Sequence, residues 1–474
     1  MDIVALVIGL SLTWALGAAL VAVLVPAVPA SAAGRGAWIA GAGGYVGAFL
    51  VTLWMRALSA VHVPFGVASI GLPLLAMLAA LAFVLWRRPD TRFGAACSAS
   101  WAVLIGAGLP RWQRIAWLAL LAWLALRFGL LLAEVWMRPV YPWDAWIQWA
   151  TKSRVWYELR AIVPFERPEG WFAAKGAAYY DASPDYPATV SLLQTWACIL
   201  LGRWDDALMN VAWWGLGVAF VLGAYGALRG FGLSPLPALT GAWLVGSLPL
   251  GGVHIALSGY ADLPMASYYA LAAVATLRWI ERRSRGDAIL ALLLLAACPT
   301  IKTPGIVWVL TIAPAIVVAL LPRYANRILV GLLVVAAIAL SVLAQTHPVV
   351  LGYRLHLDFD PAWAALFESY FMLGNWNLLW YGAVVVAIVG WRQWLSPTLL
   401  PMTAIVGSGL AFLFFVFGFT NARAWVADQT TINRATLHVA PMVGLWAILV
   451  FRAWAAGRPA AAVPATPAVA AQPS

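Results

Sequence analysis

The sequence predicts an all-α integral membrane protein of about thirteen transmembrane helices, with a large water-facing loop between Met137 and Asp206. Three observations carry that prediction. Of 474 residues, 64% are hydrophobic and 10% charged, where a soluble domain is about half apolar and a quarter charged. The apolar residues come in runs of about 18 to 25, long enough for a helix to cross a hydrocarbon core of about 30 Å. These runs fill most of the chain, and the alternating pattern of a membrane barrel is absent, so the backbone must be satisfied inside packed helices.

The first run, 3–25, follows Met1-Asp2 with no basic stretch before it, and reads as a membrane helix, not a cleaved signal. Helices are then expected at 37–56, 63–86, 115–136, 207–228, 236–253, 263–280, 288–300, 303–321, 328–346, 376–391, 397–420 and 435–452. Pro299 and Pro304 should end or kink helices around 288–300. Segment 188–202 is apolar but only about 15 residues long, which suits an interfacial helix in the outer loop 137–206 better than a span. The Ala- and Pro-rich tail, 457–474, is expected to be a disordered cytoplasmic segment.

Orientation follows from Arg in the short loops. Arg87, Arg88, Arg92, Arg111 and Arg114 form one basic group, Arg282, Arg283 and Arg285 a second, Arg323 and Arg327 a third, and Arg452 and Arg458 a fourth. With this helix count all four fall on one side, the cytoplasm. Loop 137–206 then faces out. Most acids lie on the outer side, with only Asp90, Glu281 and Asp287 on the other, so polar chemistry is expected at the outer face. The net charge of +11 is spent on orienting helices, which argues against a nucleic-acid partner; membrane lipids are the expected surroundings. Cys97, Cys198 and Cys298 have neither metal-ligand spacing nor the look of a disulfide framework. Seven of the 29 Trp crowd the outer loop, as an interfacial belt or as platforms for a sugar face or lipid chain.

Three outer segments carry candidate chemistry. Tyr141-Pro142-Trp143-Asp144-Ala145-Trp146 sets one carboxylate among aromatics at the membrane surface, where partial desolvation makes it a better base. Asp144 could equally cap a helix starting at Ala145. Ser183-Pro184-Asp185-Tyr186-Pro187 is a rigid turn whose Asp185 could point at a ligand. In Gly259-Tyr260-Ala261-Asp262-Leu263-Pro264, Asp262 could cap the following helix, or, with His254 nearby, bind a divalent cation such as Mg or Mn. Two cations complete the set. Lys302 stands alone in a long apolar stretch, and Arg434, with His438, opens the last span. Both suit an interfacial phosphate, or else snorkel to headgroups.

Taken in this order, these pieces resemble the GT-C superfamily of membrane glycosyltransferases, whose relatives include protein O-mannosyltransferases and lipid A aminoarabinose transferases. The matching features are an acid in the first long outer loop (Asp144), a proline-containing turn before a second interfacial helix (183–187, then 188–202), an acid two spans later (Asp262) and a Lys in the next outer loop (Lys302). The resemblance covers about 115–321, and 397–452 loosely. It departs from the pattern where Ala145 stands in place of a second acid, in the three spans ahead of the match, and in lacking a large soluble C-terminal domain. It implies a catalytic membrane module at 115–321, an N-terminal transmembrane extension at 1–114 and C-terminal helices at 322–456. It further implies inverting transfer of a sugar from a polyprenyl-phosphate donor to a lipid, glycan or protein acceptor. Asp144 would be the base; Lys302, Arg434, His438, Asp185, Tyr186, Trp143 and Trp146 would bind substrate; Asp262 and His254 would hold any metal. A bacterial inner membrane, with the active site facing the periplasm or exterior, is the expected setting. A transporter or lipid-linked-sugar flippase is the alternative, and it would place its charges near the bilayer middle.

Overall fold

A computed structural model describes residues 2–25, 34–88, 106–346, 348–350, 353–354 and 361–457. Asp90, Arg92, Cys97, Asp358, Asp360 and the tail from 458 lie outside the described residues. The described chain is helical almost throughout. Its helices are α1 (Asp2–Leu24), α2 (Arg35–Ala60), α3 (Val67–Arg87), α4 (Arg111–Met137), α5 (Thr151–Leu159), α6 (Pro168–Ala173), α7 (Thr189–Leu201) and α8 (Val211–Gly230). Then come α9 (Pro235–Gly246), α10 (Pro249–Ala256), α11 (Asp262–Arg282), α12 (Arg285–Ile301), α13 (Gly305–Leu310), α14 (Ala313–Leu320) and α15 (Ala325–Gln345). The last are α16 (Trp363–Phe367), α17 (Leu379–Val389), α18 (Trp391–Trp394), α19 (Leu400–Phe419), α20 (Thr430–Leu437) and α21 (Ala440–Ala456). Two two-residue ladders accompany them: Phe165–Glu166 beside Tyr179–Tyr180, and Val349–Val350 beside Tyr353–Arg354.

Among the described residues, six helices are long and apolar enough to cross a membrane, or up to eight if each bent pair is one span. Three of the expected helices are broken, each for a physical reason. The expected helix 236–253 breaks between α9 and α10, which meet at 61° where Pro249 starts a new helix. The expected helix 435–452 breaks between α20 and α21, at 53°, with Pro441 in the new first turn. The expected helix 303–321 splits into α13 and α14, with Pro314 at the start of the second. Proline lacks the N–H that a continuing helix needs, and it fits a first turn, where that donor is spare. In contrast, 288–300 extends to α12 with Pro299 inside it.

Glycine governs the packing of the first helices. A Cβ on Gly17 would lie 2.0 Å from the Gly43 oxygen, and one on Gly47 would lie 2.0 Å from the Thr13 oxygen. The α1 and α2 backbones therefore touch directly. On its other side α2 meets α8 in the same way, where a Cβ on Gly41 would fall 2.2 Å from the Gly223 nitrogen. The N-terminal helices thus share one core with the helices that follow. Outside that core, α3 and α4 leave Leu72, Leu75, Phe83, Trp123, Leu126 and Leu130 exposed, an apolar face suited to lipid.

The helix expected at the interface, 188–202, is instead enclosed. Every residue of α7 is buried, and its polar side chains bond to other elements. Ser191 Oγ donates to the Trp149 oxygen at 2.8 Å, Gln194 Nε2 to Asn210 Oδ1 at 3.0 Å, and Arg56 to Thr189 Oγ1 at 2.9 Å. The apolar composition that suggested contact with lipid reflects contact with protein, and the few polar groups are satisfied there.

Helix α11 is the central strut. It is buried from Asp262 to Arg278, and its 21 residues span about 30 Å at about 1.5 Å each. Its far end lies among arginines. Arg278 Nε meets Asp287 Oδ1 at 3.2 Å, Arg283 donates to the Ala319 oxygen, and Gly230 packs against Arg278. Its near end holds Asp262. The two ends therefore differ sharply in chemistry.

Gly47→Val should prevent α1 from closing on α2 and cost about 3 kcal/mol or more, the upper range for overpacking, because the obstacle is backbone. Gly71→Ala, which would meet nothing within 4 Å, should be neutral or slightly stabilising. Thermal unfolding of the purified variants in detergent checks both. Equal melting of wild type and Gly47→Val would contradict the contact.

Candidate functional site

Asp262 opens α11 with no exposure to solvent. Its carboxylate makes no capping bond to the helix. It instead accepts from three side chains brought by two other elements. Lys302 Nζ lies 2.5 Å from Oδ1, His438 Nε2 3.0 Å from Oδ1, and Arg434 Nε 3.0 Å from Oδ2. The first turn of α11 also suits a carboxylate, because the helix amides there carry partial positive charge.

The supporting elements explain the convergence. Lys302 caps the C-terminus of α12, whose N–H reaches back to the Cys298 oxygen, and it adopts extended geometry just past Pro299. Arg434 and His438 are four residues apart, so they share one face of a helical turn. That turn ends at the break between α20 and α21, where the chain tightens through His438 N–H to Ala435 O and Val439 N–H to Thr436 O. Buried Trp308 stands edge-on to the His438 ring at 5.5 Å.

Arg434 is shared. Its NH1 meets Asp144 Oδ2 at 2.6 Å, and its guanidinium carbon stands 4.5 Å over the Tyr260 ring. Asp144 sits just ahead of a π-helical turn, Ala145–Ala150, and makes no capping bond to it. The N-cap alternative for Asp144 therefore does not hold: the carboxylate is turned to Arg434 instead. The same is true of Asp262. Depth distinguishes the two acids. The Asp262 side chain is 0% exposed, while those of Asp144 and Arg434 are 23% and 25% exposed. The site thus has a sealed floor and an open rim.

Four residues singled out in separate loops, Asp144, Asp262, Lys302 and Arg434, with His438, come together here. Others lie elsewhere. Asp185 bonds Arg167 at the loop surface, and Tyr186 packs on Trp149 at 5.1 Å. Trp143 and Trp146 are exposed on the rim segment, edge to face at 6.1 Å. His254 is buried against Tyr260, ring to ring at 5.3 Å, and does not reach the carboxylate. The divalent-cation expectation fits poorly with this arrangement. Both Asp262 oxygens already accept from N–H donors, two of them fixed cations, and a dication would meet positive charge on that side.

Tyr260 and Lys152 are functional-looking residues that sequence reasoning passed over. Tyr260 offered one signal, an aromatic two residues before a candidate acid. Burial pushes its hydroxyl up, with Arg434 opposing, so the ring stays neutral and its face takes the guanidinium. Lys152 gave no signal. It is buried in α5, donates to the Ser183 oxygen at 2.7 Å and lies 3.6 Å from Asp181 Oδ1. Asp181 also accepts from the Ser183 amide at 2.6 Å. Burial pushes the Asp181 carboxyl up and the Lys152 ammonium down, and each partner opposes the other's shift. This pair pins the 181–187 turn to α5.

Comparison with family models, with curated proteins and with solved structures finds no match for the chain.

Lys152→Met should strand the buried Asp181 charge and lower stability by about 3 kcal/mol, and adding Asp181→Asn should recover a good part of it. Thermal unfolding of the single and double variants reads the coupling; strict additivity would refute the pairing.

Proposed function

We propose that this protein is a membrane glycosyltransferase that moves a sugar from a polyprenyl-phosphate donor to an acceptor hydroxyl, with inversion. The observation that carries the reading is the Arg434 fork, held from below by buried Asp262 beside Lys302 and covered above by a partly exposed Asp144. Lys302 and Arg434, set against Asp262 alone, leave one net positive charge, which matches the single negative charge of a phosphodiester. Asp144 neutralises that charge in the ligand-free site. A donor phosphate competing for Arg434 would release Asp144 beside the anomeric carbon.

The reaction then needs one displacement. The acceptor oxygen attacks C1, its proton passes to Asp144, and the bond from C1 to the phosphate oxygen breaks. Polyprenyl phosphate leaves with its electron pair, its charge held by Arg434 and Lys302. A single displacement inverts the anomeric centre, and a phosphate leaves without a carboxylic acid to protonate it. His438 orients Asp262 and so fixes Arg434. No divalent cation is required in this scheme.

The arginine-rich end of the bundle would face the cytoplasm and the site the periplasm or exterior of a bacterial inner membrane. On this reading the short apolar helices and broken spans would belong to a GT-C-like fold. One observation favours the transporter or flippase reading: two broken helix pairs, α9–α10 and α20–α21, are a device transporters use at substrate sites. The position of the charged site at one end of α11, not its middle, favours the transferase.

The test is release of polyprenyl phosphate from synthetic polyprenyl-phosphate sugars by purified protein. Asp144→Asn should lower kcat at least about a hundredfold, the usual contribution of a general base. Its fold should survive, since a partly exposed ion pair contributes little, about 1 kcal/mol at most. Activity undiminished in Asp144→Asn removes the base. Donor carried across vesicles without cleavage supports the flippase instead.

EDTA should leave turnover within about twofold of the untreated enzyme, a difference under about 0.5 kcal/mol. Loss of activity on chelation, restored by Mg or Mn, would reinstate the cation.

A further inference from the structure

A second feature lies beside the anion site. An open cleft of about 490 Å³ is lined by Tyr141, Trp146, Thr151, Arg154, Trp204 and Asp206, among others. Its volume falls in the usual range for small-molecule sites. Its two rims are tied together, since the Val140 amide donates to the Asp206 oxygen at 3.2 Å. Asp206 uses its backbone oxygen for that bond and for Asn210, which leaves the carboxylate to the cleft. The Arg154 guanidinium stands 5.1 Å over the Trp204 ring and pairs with Glu158. Tyr141 and Trp146 are 53% and 46% exposed.

The cleft and the anion site share a wall. Segment 140–146 gives Val140, Tyr141 and Trp146 to the cleft and Asp144 to Arg434. Behind it packs the loop that carries Tyr260: a Cβ on Gly259 would touch the Ala145 Cβ at 3.0 Å and Val140 at 3.5 Å. The α-carbons of Asp144 and Trp146 are two residues apart, no more than about 7 Å. A ligand in the cleft is therefore separated from the candidate base by this one segment.

We infer that this cleft binds the acceptor, and that the acceptor is a neutral glycan. The inference rests on the transferase reading and names its second substrate. A sugar ring has an apolar C–H face and a rim of hydroxyls. Exposed Tyr and Trp faces suit the first, while a carboxylate, a guanidinium and a Thr hydroxyl suit the second. Arg154 is already paired with Glu158, so Asp206 is left to accept from sugar hydroxyls and to disfavour an anionic ligand. A lipid chain would strand these polar groups against hydrocarbon.

The experiment uses the full chain in nanodiscs, with maltotriose, mannotriose and chitotriose as probes, read by saturation-transfer NMR and titration calorimetry. At least one trisaccharide should bind. Asp206→Asn and Trp146→Ala should each weaken it about tenfold or more, the worth of one charge-assisted bond or one aromatic platform. Arg167→Ala, at the far loop surface, should bind as wild type does. Matching gel-filtration profiles and melting temperatures confirm that the variants are folded. Absence of binding up to about 10 mM, or equal binding by all variants, overturns the inference. So does saturable binding of a Thr-rich peptide in place of the sugars. Donor cleavage without acceptor reads the transferase proposal independently. Donor turnover without glycan binding removes the cleft alone, and glycan binding without donor turnover removes the transferase.

Discussion

A buried carboxylate with three nitrogen donors organises this molecule. Asp262 has no access to water, and a charge so placed is tolerable only with partners at hydrogen-bonding distance. Those partners arrive from α12 and from the turn that precedes α21. Remove Asp262 and Lys302 loses its counter-charge while Arg434 keeps only the partly exposed Asp144; remove either cation and the carboxylate is left short. Helix α11, the end of α12 and the α20–α21 break are therefore positioned by one constraint. Buried ion pairs seldom add stability compared with apolar side chains of equal size. The bundle carries this cluster at a cost, offset by packing elsewhere.

That packing is visible in the glycines. Backbone contact between α1 and α2, and between α2 and α8, brings helices closer than side chains permit and maximises dispersion contact along their length. Helix α7 fills the space this leaves toward the outer loop. Its Ser, Thr and Gln side chains bond to α2, to the turn before α5 and to the approach to α8. The rim segment bearing Asp144 rests on this base, since the Trp149 oxygen, within its π-turn, accepts from Ser191 of α7. Position of the candidate base thus depends on a helix thirteen residues long with no face to solvent.

The site was more legible than the fold around it. Charged residues are rare in this chain, so Asp144, Asp262, Lys302 and Arg434 stood out against an apolar background, with His438 beside Arg434 at the start of the expected last span. Asp185 stood out by the same signal, but a charge at the surface of a loop finds a surface partner, here Arg167. Apolar length was a weaker guide. It located α1 to α4 and α19 well, because each is a single long apolar helix. It misread α9–α10 and α20–α21, because hydropathy is blind to a bend and only Pro249 and Pro441 mark where the chain turns. It also placed α7 at the surface, since a side chain buried against protein has the same composition as one facing lipid. Lys152 was invisible for the opposite reason: nothing local announces that a lysine in a loop will be buried against an acid thirty residues on.

The two acids on Arg434 differ in a way that bears on the proposed chemistry. Asp262 is sealed, and its second oxygen holds Arg434 through Nε, on the inner edge of the guanidinium. Asp144 is partly exposed and takes NH1, on the outer edge. Exchange of a ligand for Asp262 would require the burial of a new anion and the release of a fully desolvated one, along with Lys302 and His438. Exchange for Asp144 requires only that a partly hydrated carboxylate return to water while a phosphate oxygen takes its place. The energetic difference between those two moves gives the site a direction: an anion arriving from the rim displaces the outer acid and leaves the inner one untouched. A carboxylate released in this way has lost the cation that held its lone pairs, at the moment when the phosphate has taken up that same cation. On the proposed chemistry, base and leaving-group support would be coupled through one side chain, and the site would be idle until a donor phosphate is bound.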